Sequence, residues 1–352
     1  MGLCGMLLAG TMAVLGDDSA AEKLVEGGHW KRLRALEEPR MSANPNDGEA
    51  AYYLGRAKME LKDLQGAMTL AEKAVAVNPN SSRAHLLVGD VAIQMAQNAG
   101  IFKGLGLAHR FREEAEKAIA LDPKNLDARE DLMEFYFDAP GIGGGDKKKA
   151  SATAEEMGRI DVTRGLLAKA GLAGKEKNPG KQEDFYKKAL EAAPNDGEVL
   201  RAVANFYGSE SQKKYDLAEK YAIAALKLDE TRVGPYVALA MAYANSERWA
   251  DLDQAMARCE KSVPDDLGPH YQAGKVLLNS GKDLPRAERY FRKYLTIEPE
   301  GGDPPIAAAH WRLGLVLEKE GKKAKAIAEM EEAIRLDANF KEAKNDLKRM
   351  KG

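Results

Sequence analysis

The chain has 352 residues, 44% of them hydrophobic and 31% charged, a composition that supports a packed core and excludes a disordered chain. Its 53 basic and 55 acidic side chains leave a net charge of -2, which lacks the basic excess of a dedicated nucleic-acid binder. Two cysteines and five histidines are too few and too scattered for a disulfide framework or a zinc site. We therefore expect no bound metal, no cofactor and no nucleic-acid partner.

Residues 1–16 (MGLCGMLLAGTMAVLG) contain no charged side chain, and Asp17 and Asp18 follow directly. The stretch is shorter than the roughly 20 apolar residues that cross a bilayer as a helix, so no stable transmembrane span is expected. It is typical of a secretory signal with a cleavage point after Gly16, which predicts a periplasmic or secreted protein. Leu3 stands where a lipobox needs a small residue before Cys4. No Lys or Arg precedes the stretch, so two alternatives stay open: a misassigned start, or the buried first helix of a cytoplasmic protein.

The remainder of the chain is divided by prolines at a period near 34 residues. Proline ends the helix before it, because it lacks an amide hydrogen and biases the preceding residue away from helical angles. The Asn, Asp or Ser just after it can cap the next helix. Apolar residues between the prolines recur at helical spacing around a short turn, so each unit is predicted to be a helical hairpin. The proline slot is occupied in turn by Pro45, Pro79, Pro123, Pro194, Glu230, Pro264, Pro299 and Ala338.

Small residues recur at fixed positions of these units, with large residues between them. In the first full unit they are Leu54-Gly55, Ala67, Ala74 and Pro79, and in the last they are His310, Leu313-Gly314, Ala326 and Ala333. This pattern resembles the tetratricopeptide repeat (TPR) across nearly all of residues 17–352. The resemblance implies an all-α, right-handed superhelical solenoid of about eight helical hairpins with a C-terminal capping helix. The predicted parts are the apolar segment 1–16, a partial unit at 17–47, units near 48–81, 82–125, 126–161, 162–196, 197–232, 233–266, 267–301 and 307–340, and a cap at 341–352.

The period is interrupted in three places. The second unit carries about ten extra residues around Gln94 to Arg110, which we expect to lengthen its helices, and residues 301–305 precede the last unit. The third unit inserts Ala139 to Asp146 between its helices, and the phrase that leads into this insertion resembles a bacterial envelope subgroup of TPR proteins with an aromatic-APG-GG loop. A glycine run before a helix can also cradle phosphate. No strand precedes this one and no Gly-Lys-Ser/Thr ending follows it, so a flexible turn between helices is favoured.

No sequence motif of a known catalytic site occurs. There is no nucleophile elbow, HExxH, CxxC or dinucleotide fingerprint, and His85, His270 and His310 occupy the large packing positions of their helices. We therefore predict a protein that is not an enzyme.

The resemblance implies that the first helices of the units line a concave groove that binds peptides or partner helices. Tyr52 and Arg56 stand where a carboxylate clamp needs Lys and Asn, so recognition of a C-terminal carboxylate is not implied. The third unit contributes an acidic ridge that consists of Asp127, Glu130, Asp131, Glu134 and Asp138. The groove as a whole is mixed in character and favours a partner with basic and apolar side chains. The predicted groove residues are Tyr52, Tyr53, Arg56, Arg83, Asp90, Asp127, Glu130, Asp131, Glu134, Arg201, Asn205, Tyr271, Lys275 and Arg312.

Three other interpretations of these residues stay open. The charged positions can simply keep a long helical array soluble. The array can be a self-associating scaffold. An enzyme acting on an envelope polymer or a small molecule, with the acidic ridge as its acid/base pair, is the least favoured.

Overall fold

The computed structural model describes residues 11–97, 99–302 and 304–352. In this part of the chain the regular elements are 19 α-helices and two 3₁₀ turns, with no strand, so the prediction of an all-α fold is confirmed. The helices are α1 (Thr11–Gly27), α2 (Trp30–Ala43), α3 (Gly48–Glu60), α4 (Leu64–Val77), α5 (Ser82–Gln97), α6 (Ile101–Leu121), α7 (Leu126–Asp138), α8 (Lys147–Ile160), α9 (Val162–Lys175), α10 (Pro179–Ala192), α11 (Gly197–Gly208), α12 (Tyr215–Leu228), α13 (Val233–Asn245), α14 (Trp249–Ser262), α15 (Gly268–Ser280), α16 (Leu284–Tyr294), α17 (Ile306–Lys319), α18 (Lys323–Leu336) and α19 (Lys341–Lys351).

The proline phrases end one helix and begin the next, as predicted. Asn78 and Asp122, which directly precede prolines, have φ angles of -131° and -132°, and this extended backbone cannot continue a helix. The polar residue two positions after a proline then caps the following helix. Asp47 accepts hydrogen bonds from the amides of Glu49 and Ala50 at 3.1 and 3.0 Å, which satisfies two of the amides that a helix N-terminus leaves without partners.

The chain divides into two compact units, residues 1–178 and 179–352. In the described part of the first unit, fully buried Leu33, Leu87, Phe111 and Met133 are among the largest core side chains. The corresponding set in the second unit is Leu226, Tyr236, Leu252, Leu277 and Phe291. Each unit therefore has an apolar core of its own.

Glycines at the repeated small positions allow neighbouring helices to pack closely. A β-carbon added at Gly55 would lie 3.1 Å from the Leu87 Cδ2 atom, and one added at Gly274 would lie 3.1 Å from the Phe291 Cζ atom. Even a methyl group there would press on the neighbouring side chain, and a large residue would force the helices apart. These contacts explain why the small residues recur in every well-preserved unit.

The N-terminal segment predicted to be a secretory signal falls mainly outside the described residues, which begin at Thr11. Further along α1, Asp18 pairs with Arg40 of α2 at 2.6 Å, and Ala21 is buried. Within the described residues, no helix combines the length and the apolar character needed to cross a membrane.

The two longest insertions take different forms. The extra residues of the second repeat, which belongs to the first compact unit, lengthen α6 to 21 residues. The insertion after α7 is a tight loop that contains a 3₁₀ turn at Gly141–Gly143. A β-carbon at Gly145 would lie 1.7 Å from the Ala139 carbonyl oxygen, so only glycine fits there. The amides of Gly143, Gly144 and Gly145 donate to carbonyls within the loop, which leaves them unavailable to a phosphate group and favours the turn over the phosphate cradle.

Candidate binding cleft

The first unit contains an open cleft of about 760 Å³ between α3, α5, α6, α7 and the loop after α7. Its size is in the range of sites that hold small ligands or peptide side chains. One side of the cleft is polar and mainly acidic, and the other is apolar. The polar lining is Arg56, Glu60, Asp90, Gln94, Gln97, Asp131, Glu134 and Asp138, and the apolar lining includes Met59, Ile93, Ile101, Leu105, Ala108, Phe111, Phe135, Pro140 and Ile142.

Arg56, Asp90 and Asp131 come from the first helices of three consecutive hairpins and form the floor of the cleft. Arg56 and Asp90 are 34 residues apart, one repeat period, so the stacking of α3 and α5 brings their side chains to equivalent positions. Asp90 and Asp131 are 41 residues apart because the insertion in α6 lies between them. These three predicted groove residues therefore meet at one place, and Glu134, a fourth, also lines the cleft.

The two aspartates lie within hydrogen-bonding reach of each other. Burial, and then the charge of Asp131, raise the pKa of Asp90 well above its ordinary value. Burial, and then the charge of Glu130, raise the pKa of Asp131 to about 7. Two neighbouring carboxyls in a poorly solvated place cannot both ionise easily, because each negative charge disfavours the other.

Arg56 is the positive group of this floor. Its Nε atom is buried and has no hydrogen-bond partner within the described part of the chain. The centre of its guanidinium lies 5.8 Å from the centre of the Trp30 ring, a distance at which a cation and an aromatic face attract each other. A buried donor without a partner is unfavourable, and Arg56 supplies the one basic side chain in the described lining of the cleft.

The acidic ridge of α7 is less open than the sequence predicted, because α9 supplies cations at both of its ends. Arg164 donates to Asp127 at 2.9 Å and to Glu130 at 2.6 Å. Lys175 donates to Asp138 at 2.6 Å and lies 3.7 Å from Glu134. The prediction of an open acidic ridge is therefore corrected at both ends. Sequence analysis missed these ion pairs because the cations lie about one repeat further along the chain. Asp131, in the middle, forms no ion pair among the described residues.

The apolar wall of the cleft was missed by sequence analysis. Ile101 and Phe102 at the start of α6 are 80% and 92% exposed, and Ile142 in the loop after α7 is 87% exposed. Ile101 and Ile142 both line the cleft, so the two insertions, separated by some forty residues, meet at one wall. The only sequence signal was that apolar residues coincide with two departures from the repeat period.

Tyr53 and Arg83, two further predicted groove residues, are engaged within the protein. The Tyr53 hydroxyl donates to Glu22 of α1 at 2.9 Å, and Arg83 donates to the Tyr53 oxygen at 3.1 Å. Arg83 also pairs with Glu49, and its guanidinium lies 4.7 Å from the centre of the Tyr52 ring. Together these contacts tie α1, α3 and α5 to one another, so Tyr52, Tyr53 and Arg83 stabilise the stack beside the cleft.

The other predicted groove residues belong to the second unit and lie outside this cleft. Tyr271 is buried and accepts a hydrogen bond from the Arg312 Nε atom at 2.8 Å. Arg201 and Lys275 are partly buried, and Asn205 is exposed.

The histidines and the buried cysteine show no arrangement for catalysis. His85, His270 and His310 each contact a glutamate of an adjacent helix, at 2.6, 2.9 and 2.6 Å. Burial raises the pKa of the Cys259 thiol to about 12, which leaves almost no reactive thiolate near neutral pH. Among the described residues no cluster of His, Cys, Asp or Glu has the geometry of a metal site.

Comparison with known proteins connects this architecture to one repeat family. Residues 49–81 and residues 307–340 each match a family profile described as tetratricopeptide repeat. No curated protein matches the chain.

Solved structures that resemble the chain share little sequence identity with it. Yeast Tom70 is 12% identical, with 97% of this chain and 88% of that chain covered and a TM-score of 0.50. The human IFIT1 dimer with m7Gppp-AAAA is 16% identical, with 95% and 80% covered and a TM-score of 0.52. A thermophilic TPR protein in Thermus thermophilus is 20% identical over 60% of this chain and 98% of that chain, with a TM-score of 0.46. Identities this low relate the folds alone.

Proposed function

Because this chain is a tetratricopeptide-repeat protein, we propose that it binds a segment of a partner protein in the cleft of its first unit. Proteins of this fold generally mediate protein–protein interactions and are generally not catalysts. The protein then acts as a scaffold, and the cleft is the place where a partner is held.

The observation that carries this proposal is the exposed apolar wall of Ile101 and Ile142, with exposed Phe102 next to it in sequence. Large apolar side chains that are mostly exposed and grouped beside a cavity are typical of binding sites, since leaving them in water is unfavourable. The insertions that carry them lie outside the repeat period and are not needed to stack the hairpins. Binding of a partner therefore explains why these apolar side chains are exposed.

The chemistry of the cleft favours a partner segment with basic and apolar side chains. Five acidic residues and one basic residue line the polar side, and complementary charge across an interface selects the partner and steers its approach. The opposite wall offers apolar area, which supplies most of the binding free energy. An amphipathic segment, basic on one face and apolar on the other, fits both sides.

Export from the cytoplasm is a second part of the proposal. It is supported by the uncharged stretch of residues 1–16. Cleavage after Gly16 would keep Asp18, whose ion pair with Arg40 ties α1 to α2. Fractionation of the native host and N-terminal sequencing of the purified protein test it: a chain that begins at Met1 in the cytoplasm contradicts export.

The binding proposal is tested by crosslinking and pull-down from the native host. The double variant Ile101→Glu/Ile142→Glu places two charges on the apolar wall. Leu228→Glu is the matched control, because Leu228 is also an exposed aliphatic residue but lies in the second unit. We expect a partner retained by the wild type and the control to be lost by the double variant.

Two results of that experiment decide against the proposal. Identical partners for all three proteins would remove the cleft as the binding site. If the chain captures only itself, and sedimentation shows an association that the double variant abolishes, the alternative of a self-associating scaffold is correct. Circular dichroism of each variant verifies that the helices are intact.

A further inference from the structure

This inference rests on the proposed partner-binding function of the cleft. We infer that Asp90 and Asp131 together receive one cationic side chain of the bound segment, a lysine or an arginine, in exchange for one proton that the pair holds in the unbound protein. Binding is then coupled to proton release, and the affinity rises with pH.

The geometry places the pair where a ligand can reach it. Asp90 is on α5 and Asp131 on α7, and both line the floor of the open cleft. Their carboxyls are close enough to share a hydrogen bond, and neither forms an ion pair with a described Lys or Arg. A cation placed beside them would attract the Asp131 carboxylate at short range and could donate a further hydrogen bond to the carbonyl oxygen of the Asp90 carboxyl.

The surrounding cations do not offset the cost of ionising this pair. Arg56 lowers the pKa of both aspartates, but burial outweighs it. Arg164 and Lys175 of α9 are held by the ends of the α7 ridge. The part of α6 that lines the cleft contributes only apolar residues. The other titratable groups whose charges act on the pair or its floor are Glu60 and Tyr52 of α3 and Asp127, Glu130 and Glu134 of α7.

Arg56 supplies a second, independent indication of a ligand. Its buried Nε atom has no partner, and its side chain lines the same floor. A peptide that places a cation beside the aspartates also brings backbone carbonyls into the cleft. One of these can accept from the Arg56 guanidinium, so a single segment would contact both the acidic pair and the cation of the floor.

The proton balance of the exchange is simple. Below pH 7 both carboxyls of the unbound pair hold a proton, and Asp131 is the first to lose its proton. When the ligand cation enters, the Asp131 proton leaves to solvent and the Asp131 carboxylate faces the cation, while Asp90 keeps its proton and donates it to Asp131 in a hydrogen bond. For one proton with an apparent pKa near that of Asp131, about 7, linkage gives an affinity about tenfold higher at pH 8 than at pH 6.

The test uses the full-length chain and a displayed library of random 12-residue peptides, selected at pH 8. The selected peptide of highest affinity is synthesised with both ends blocked and titrated calorimetrically at pH 6, 7 and 8. Buffers of different ionisation enthalpy count the released protons. We expect Lys or Arg together with apolar residues in the selected peptides, about tenfold tighter binding at pH 8 than at pH 6, and release of up to one proton.

Two variants distinguish the acidic pair from general acidity. Asp131→Asn is expected to abolish the pH dependence and the proton release between pH 6 and 8. Glu155→Gln, an exposed acidic position on α8 that pairs with Lys169, keeps both. Asn has nearly the shape of a protonated Asp, and the proton count of the wild type decides the matter even if this variant folds poorly.

The outcomes separate this inference from the function on which it rests. Some peptides could bind the wild type but not Ile101→Glu/Ile142→Glu. If these peptides lack basic residues, or bind without pH dependence, the proton exchange is wrong, and the proposed binding cleft is still supported. A selection that yields no peptide sensitive to Ile101→Glu/Ile142→Glu contradicts the proposed function itself.

Discussion

The charged residues of this protein mostly bond to neighbouring helices, whereas the acidic pair of the cleft does not. Hydrogen bonds from Lys322, with further help from Arg292, lower the pKa of Glu288 to about 2. At Asp90 and Asp131 the shift has the opposite sign, because burial and mutual repulsion disfavour ionisation. Titratable groups with strongly shifted pKa values are enriched at functional sites. Such groups often lower the stability of the folded protein while they serve its activity.

The residue-scale prediction concerns the stability of Asp131→Asn. The pKa of Asp131 is raised from 3.8 to about 7 by folding, so the folded protein holds more protons than the unfolded chain between these values. Stability is therefore lost as pH rises from about 4 to 7. Asparagine removes this loss. We expect the variant to be more stable than the wild type at pH 8 by about 1 to 2 kcal/mol, after allowance for screening by the open cleft.

Urea unfolding of the wild type and Asp131→Asn at pH 4 and pH 8 measures this difference, which should be smaller at pH 4. Glu155→Gln on α8 is the control, because Glu155 is an exposed acid that pairs with Lys169 and is not among the groups that shift the pKa of Asp131. Its replacement should leave the difference in stability between pH 4 and pH 8 nearly unchanged. A gain for Asp131→Asn that is equal at both pH values would show that its carboxyl does not titrate as described.

At the scale of helices, α8 and α9 cross at a contact that requires glycine on the α9 side. A β-carbon added at Gly165 of α9 would lie 2.2 Å from the Gly158 α-carbon of α8. A β-carbon added at Gly158 would lie 3.8 Å from the Gly165 α-carbon, which is ordinary contact. The crossing is therefore asymmetric. It also positions Arg164, the neighbour of Gly165, against the acidic ridge of α7.

This asymmetry predicts opposite effects for two alanine substitutions. Gly165→Ala should lower the free energy of unfolding by about 1 to 3 kcal/mol, because the two backbones must separate. Gly158→Ala should be neutral or stabilising by up to about 1 kcal/mol, since alanine is a better helix former than glycine. Urea unfolding monitored by circular dichroism measures both. Equal losses for the two variants would mean that the helices cross elsewhere.

The hairpins could be predicted from sequence, but the wall of the cleft could not. Proline, a capping Asp or Asn and helical spacing act within a few residues, so they are visible in a single repeat. The wall requires the start of α6 to meet a loop some forty residues later, and no local pattern specifies that contact. The prediction that the extra residues lengthen helices is met by the 21-residue α6, while the exposure of Ile101 and Ile142 is visible only in the packed structure.

At the scale of the whole molecule, ion pairs between successive repeats show how a charge-rich chain places many of its opposite charges next to one another. In the second unit Lys322 bonds to Glu288 at 2.7 Å, and Arg286 bonds to Asp253 in the same manner one repeat earlier. Such pairs contribute little singly. Repeated along an array, they add to the interfaces between neighbouring repeats on which its stability depends.

This pairing predicts a loss of stability in acid. Hydrogen bonds from cations lower the pKa of Glu288 from 4.5 to about 2, so its contribution is present above pH 4.5 and is lost as pH falls towards 2. We expect Glu288→Gln to lower the free energy of unfolding by about 1 kcal/mol at pH 6, a value discounted for solvent screening, and by almost nothing at pH 2. Urea unfolding at both pH values measures this, and the same loss at both would contradict it.

The sequence by itself determined that this protein is an all-helical array of hairpins that resemble the tetratricopeptide repeat, because the signals for helix ends, caps and close helix contacts are local and repeat with one period. Of the predicted groove residues, it could place Arg56 and Asp90 at equivalent positions for the same reason. Only the tertiary structure decided which charges remain available. Arg164 and Lys175 neutralise the ends of the acidic ridge, and two insertions meet to enclose Asp90 and Asp131 in a cleft. These contacts join residues a repeat or more apart, so they depend on how each helix packs against the next hairpin.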